Sequence, residues 1–157
     1  MKKLFNKLQK HNLTISFAES MTAGYLSYSI AKNSGASNVL IGSIVAYNTN
    51  IKLNILKVKQ ETINKYTVVS KEVADEMALN LQQIITSDIY VSITGNAGPT
   101  FEKNTNNLIF YSTIIFQNKT YNITHQFKTN DRNKNIIQAK NIIASQIIKI
   151  IENVCIN

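Results

Sequence analysis

The 157-residue chain contains no tryptophan, one cysteine, one proline and five glycines. A single thiol near the end, Cys155, admits no internal disulfide and reads as a bystander on a terminal helix. With Pro99 the only proline, there is no Pro/Gly-rich linker, and neither an internal repeat nor a low-complexity block is present. No apolar run approaches the roughly 18 residues needed to cross a bilayer. The charged segment from Met1 to Lys10 lacks the apolar stretch of a signal peptide, so a cytoplasmic location and no membrane partner are expected. Acidic residues are scarce, with 9 Asp and Glu against 17 Lys and Arg, for a net charge of +8. That basic side is 16 lysines and one arginine, Arg132. The lysines are scattered rather than gathered on one face, and the many asparagines and isoleucines point to an AT-rich genome, so no nucleic-acid partner is expected. The charge nevertheless favours capture of a small anionic substrate.

What is present is an ordinary globular composition, 44% hydrophobic and 17% charged, long enough to bury a core in one domain spanning 1–157. Apolar spacing predicts a helix over Lys3 to Lys10, a short strand over Leu13 to Ala18, and a helix from Tyr25 to about Asn33. Val39 to Tyr47 is nearly all apolar and reads as a buried strand. A short helix is expected over Gln60 to Tyr66. A longer one starts at the N-cap Ser70, with Val73, Met77, Leu81, Ile84 and Ile85 along its stripe. Ile89 to Thr94 reads as a strand that breaks at Gly95. Leu108 to Phe116 and Tyr121 to Phe127 form a hairpin, and a long helix from about Asp131 to Glu152 closes the chain. Strands alternating with helices predict an α/β fold, a three-layer α/β/α sandwich whose mixed sheet is mostly parallel. Ligands of such sheets bind beyond the carboxyl ends of the strands.

Three segments converge at that edge. The first, Glu19-Ser20-Met21-Thr22-Ala23-Gly24, joins a strand to a helix N-terminus, where backbone N–H groups and two hydroxyls favour an anion. The same segment also allows Ser20 or Thr22 simply to cap the helix. In the second, Gly35 to Lys52, Ser37 lies in a small-residue turn, Tyr47 at the far end of a strand and Lys52 one turn later. A serine needs a neighbouring base to act as a nucleophile, a lysine of lowered pKa is such a base, and a tyrosine hydroxyl relays protons. The third, Thr94-Gly95-Asn96-Ala97-Gly98-Pro99-Thr100, is a turn where a ligand could lie against backbone.

These segments, in this order, resemble the CinA C-terminal domain family, the competence/damage-inducible proteins of bacteria whose stand-alone members are nicotinamide-nucleotide amidases. The family's Glu-Ser-Cys-Thr-Gly-Gly resembles Glu19 to Gly24. Its Gly-Ala-Ser followed by Tyr-x-x-x-x-Lys resembles Gly35 to Ser37 with Tyr47 and Lys52. Its Val-Ser-x-x-Val-Ala-x-x-Met-Ala helix is matched from Val69 to Ala78, its Thr-Gly-x-Ala-Gly-Pro from Thr94 to Pro99, and its late Gly-Asp-Arg is echoed by Asn130-Asp131-Arg132.

The resemblance implies hydrolysis of the carboxamide of nicotinamide mononucleotide to nicotinic acid mononucleotide and ammonia, a step of pyridine nucleotide salvage. Carried over by position, Ser37 is the nucleophile and Tyr47 and Lys52 handle its proton, with no cofactor or metal. Glu19, Ser20, Thr22, Gly24, Thr94, Gly95, Asn96, Ala97 and Gly98 surround the nucleotide substrate, Arg132 takes its phosphate or meets a neighbouring subunit, and a homo-oligomer is expected. The chain departs from the family at Met21 (for cysteine), at Ala23 (for glycine) and from Thr100 to Asn107, where the family has a glycine pair and Lys-Pro-Val-Gly. The altered loop motivates a second reading, a nucleotide-binding or regulatory module that has lost the reaction.

Overall fold

A computed structural model describes residues 1–155, except for the side chain of Cys155, so the expectation for that thiol lies outside the described residues. Five strands form one sheet in the order β2-β1-β3-β4-β5. They are β1 (Ile15–Glu19), β2 (Leu40–Val45), β3 (Ile89–Gly95), β4 (Ile109–Phe116) and β5 (Lys119–Gln126). β2 and β3 pair with β1 in parallel, whereas β3–β4 and β4–β5 are antiparallel. Four of the five strands therefore run one way, and the sheet is mixed as expected.

Alternation along the strands sorts side chains to two helical layers. Phe17, Ile89, Val91, Ile93, Phe110 and Ile114 join a core with residues of α1 (Lys2–Lys10), α2 (Tyr25–Ala31) and α6 (Arg132–Cys155). Ala18, Tyr90 and Ile115 face the other way, against Val73, Met77 and Leu81 of α5 (Lys71–Ile84) and against Leu56 and Val58, which follow α3 (Thr49–Asn54). α4 (Gln60–Tyr66) precedes α5, whose N-cap Ser70 accepts a bond from the Val73 N–H at 3.3 Å. No helix among the described residues is long and apolar enough to cross a membrane.

The expected buried strand from Val39 to Tyr47 needs correction. β2 is an edge strand over Leu40–Val45, with Ile41 and Val45 48% and 44% exposed. An apolar run marks a central strand only when neighbours flank it on both sides, and β2 has one neighbour.

The turn between β1 and α2 is tight. Ala23 and Gly24 both adopt positive φ, +48° and +92°, and Gly24 is the N-cap of α2. Neither Ser20 nor Thr22 caps that helix. The buried Glu19 carboxylate does so instead, accepting the N–H groups of Gly24, Leu26 and Ser27 at 3.1, 3.0 and 2.9 Å. An alanine in the left-handed region costs about 1–2 kcal/mol, partly offset in the comparison with glycine by the latter's greater freedom when unfolded. Ala23→Gly should therefore stabilise the fold by about 1 kcal/mol, read as a higher urea midpoint at unchanged slope. Glu19→Ala, which leaves three helix N–H groups without their acceptor, should lower the same midpoint by about 2–3 kcal/mol.

Candidate active site

The carboxyl ends of β1, β2 and β3 meet the N-terminus of α6 around a cavity of about 140 Å³ lined by Ser20, Met21, Tyr47, Gly95, Asn96, Thr100, Phe101, Glu102 and Arg132. Directly behind Ser20 lies Lys52, only 2% exposed. β2 ends at Val45, Asn48 caps the next helix by accepting the Asn50 N–H at 2.8 Å, and α3 turns the Lys52 side chain back under the strand end. There Nζ donates to the Ala46 carbonyl at 2.7 Å, to Ser20 Oγ at 2.9 Å and, more weakly, to the Tyr47 carbonyl at 3.4 Å. Burial without a carboxylate in contact disfavours the charged amine, and the Lys52 pKa falls to about 8, although Glu102 pulls it upward.

The three acceptors suit both protonation states. As an ammonium, Lys52 has a donor for each of them. As a neutral amine it keeps two N–H donors for the carbonyls and turns its lone pair toward the Ser20 hydroxyl. A serine hydroxyl and an amine of lowered pKa at hydrogen-bond distance can perform nucleophilic catalysis.

The expected trio of Ser37, Tyr47 and Lys52 does not assemble. Ser37 is exposed in the 3₁₀ turn Ala36–Asn38, which precedes β2, whereas Tyr47 and Lys52 follow it. β1 and β2 are parallel, with Ile15 opposite Leu40 and Glu19 opposite Val45, so Ser37 and Ser20 lie at opposite ends of the sheet. A six-residue strand alone separates those ends by about 17–20 Å. Tyr47 is also apart from the pair through its hydroxyl. It is 54% exposed, and its oxygen accepts from Arg132 Nη2 at 3.0 Å while Nη1 of the same guanidinium donates to the Gly98 carbonyl at 3.1 Å.

The remaining expected binding residues divide into lining and scaffold. Ser20, Gly95, Asn96 and Arg132 reach the cavity. Glu19 and Gly24 are consumed in the helix cap, and the buried Thr94 hydroxyl is held by the Val68 carbonyl at 2.8 Å. Thr22 is buried, with a hydroxyl that has no partner among the described residues, and does not line the cavity. Ala97 offers its carbonyl to Asn135 Nδ2 at 2.9 Å, which fastens the turn to α6, and Gly98 has φ +83°. Asn96 lines the cavity but spends its amide on the following loop. It donates to Thr105 Oγ1 at 2.7 Å and to the Asn107 carbonyl at 3.3 Å, and it accepts the Glu102 N–H at 3.1 Å.

Gly95 is required by close approach, since an added Cβ would sit 2.6 Å from the Ile109 carbonyl and 2.7 Å from Met21 Sδ. Sequence reasoning did not name Met21, Thr100, Phe101 and Glu102 as binding residues, although the first two lie in the first and third of the convergent segments. Among the described residues no group of three or more His, Cys, Asp and Glu side chains is placed to hold a metal ion.

The CinA C-terminal domain family matches residues 1–150. The chain belongs to that family. Protein MG115 of Mycoplasma genitalium is 35% identical over 130 residues, covering 83% of each chain. A CinA-like protein of Petrotoga mobilis is 50% identical over 96 residues, but that stretch is 61% of this chain and only 24% of the Petrotoga protein. Among solved structures, a competence or damage-inducible protein from Enterobacter asburiae superposes with a TM-score of 0.88 at 27% identity, covering 94% of this chain and 93% of that one. The CinA fold is therefore present.

The Lys52 environment makes a stability prediction. Its folded pKa of about 8 lies below the ordinary 10.5, so between these values the unfolded chain binds more protons than the folded one. Stability contributed by this group therefore rises with pH across that window, by about 3 kcal/mol in full, and is flat below about pH 8. Urea titrations from pH 7.5 to 10.5 should show the rise in the parent chain and lose that component in Lys52→Met.

Proposed function

We propose that this CinA-family chain is an amidase that hydrolyses the carboxamide of nicotinamide mononucleotide, with Ser20 rather than Ser37 as nucleophile and Lys52 as base. The observation that carries the reading is the 2.9 Å contact between Ser20 Oγ and the buried Lys52 Nζ at the wall of the cavity that joins the three strand ends. The substrate is the one that the family resemblance implies.

In this reading the neutral Lys52 amine takes the Ser20 proton as Oγ forms a bond to the carboxamide carbon. The resulting Lys52 ammonium then protonates the nitrogen, the C–N bond breaks and ammonia departs, leaving an acyl ester on Ser20. Water, deprotonated by the same amine, attacks the ester and releases the carboxylate and the Ser20 hydroxyl. The backbone N–H of Met21, which lines the cavity directly after Ser20, has no hydrogen-bond acceptor among the described residues. It is the candidate donor for the oxyanion, where one such donor contributes about 3–4 kcal/mol in measured enzymes. Arg132 supplies a cation at the cavity wall for the phosphate.

The second reading, binding without turnover, draws on the Asn96-clamped loop that replaces the family's glycine segment. Ammonia release and product mass on incubation with nicotinamide mononucleotide separate the two. Turnover is expected, falling by at least about 10³-fold in Ser20→Ala and in Lys52→Met and by less than twofold in Ser37→Ala. kcat/KM should climb with pH through an inflection near 8, because the base must be uncharged. Loss of activity in Ser37→Ala with retention in Ser20→Ala would falsify the assignment.

A further inference from the structure

Apart from Arg132, the charged group in the cavity wall is Glu102, on a loop where the chain departs from its family. The Glu102 main chain is anchored on both sides. Its N–H donates to the buried Asn96 Oδ1 at 3.1 Å, and its carbonyl accepts the Thr105 N–H at 3.0 Å and the Thr105 hydroxyl at 2.6 Å. Thr105 Oγ1 is itself held by Asn96 Nδ2 at 2.7 Å. A single buried asparagine thus fixes where this loop presents its acidic residue. The carboxylate itself is exposed and makes no hydrogen bond or ion pair with any described residue, although it is near enough to Lys52 to favour that amine's charged form. It is an anchored, uncommitted negative charge facing a site whose other wall carries a guanidinium.

With Lys52 neutral in the reactive form, the cavity holds one fixed cation and one fixed anion. That pattern complements a ligand that is itself zwitterionic. A nicotinamide whose ring nitrogen is bonded to a sugar is a pyridinium cation, and the phosphate of the mononucleotide is the matching anion. We propose that Glu102 is a specificity-determining residue whose carboxylate recognises the positive charge of an N-substituted pyridinium ring, selecting quaternised carboxamides over neutral ones. The proposal rests on the amidase reading for its substrate class, and the charge selection is measurable without turnover.

The test uses two phosphate-free probes, which leave Arg132 out of the comparison: the 1-methylnicotinamide cation and neutral nicotinamide. NMR titration of the whole chain with each gives the ratio of dissociation constants. The parent chain should prefer the cation by about two- to fivefold, the range for an exposed charge pair. Glu102→Gln should bring the ratio close to one, and Glu102→Asp should retain part of it. An unchanged ratio in Glu102→Gln, or no preference in the parent chain, overturns the proposal. Parallel assays on nicotinamide mononucleotide keep the two ideas apart. Turnover with an unchanged ratio leaves the amidase standing without Glu102 selection, and a cation preference lost in Glu102→Gln without turnover leaves the selection standing without the amidase.

Discussion

The site depends on placing an amine inside the protein without giving it a carboxylate. A buried lysine is tolerated when its donors are satisfied or when it sheds its proton, and Lys52 has provision for both. Its acceptors are the Ala46 and Tyr47 carbonyls at the end of an edge strand and the hydroxyl of Ser20. The three acceptors answer to two constraints. The two carbonyls are free because β2 stops at Val45 and the chain turns into α3. Ser20 is held because its N–H donates to the Ile93 carbonyl of β3 at 3.0 Å while Glu19, one residue earlier, ties down the start of α2. A glutamate partner would restore the ordinary lysine charge and remove the base. The carboxylate of Glu19 is kept from that role by three backbone N–H groups and the Ser43 hydroxyl at 3.3 Å.

The same frame explains how the chain tolerates its departures from the family pattern. Ala23 keeps the left-handed turn that glycine would enter freely, so the geometry around Ser20 is retained against a local conformational cost. Met21 is 3% exposed and packs its sulfur over Gly95, where no side chain could fit, so the larger residue is accommodated by the bare backbone opposite. The loop from Thr100 to Asn107 lacks the family's glycines; Asn96 organises it with side-chain hydrogen bonds, and Asn104 takes a left-handed position at φ +62°.

Much of this architecture was legible in the sequence, for reasons that also mark where reading stopped. Helical spacing gave α1, α5 and α6, and the Gln117-Asn118 turn, both residues at positive φ, closes the expected hairpin of β4 and β5. β2 was misjudged because apolar content reports what a strand is made of and not how many neighbours it has. The grouping of Ser37 with Tyr47 and Lys52 fails for a related reason. Ser37, Tyr47 and Lys52 are close in sequence, but a strand intervenes between the first and the other two, and a strand separates its ends by its full length. Ser20 is 32 residues from Lys52 and reaches it because parallel strands bring their carboxyl ends together. Pairing by topology would have found it; proximity in sequence pointed elsewhere. Glu102 gave no such signal, because its place is fixed by Asn96 through contacts that no spacing rule encodes.

The clasp between Tyr47 and Arg132 then acquires a definite sense. Arg132 donates to the Tyr47 oxygen, so the phenolic proton is not engaged with the guanidinium and stays available as a donor toward the cavity. The other arm of Arg132 grips the Gly98 carbonyl, which joins the end of β2 to the turn after β3 through the first residue of α6. An anion arriving at Arg132 would compete with both acceptors, since a guanidinium has five N–H donors but a planar fork has few orientations. In the proposed amidase, phosphate binding and the position of the Tyr47 hydroxyl would be coupled through that one side chain. A ligand that brings both an anion and a carboxamide engages that coupling, whereas a bare carboxamide leaves Tyr47 tied where it is.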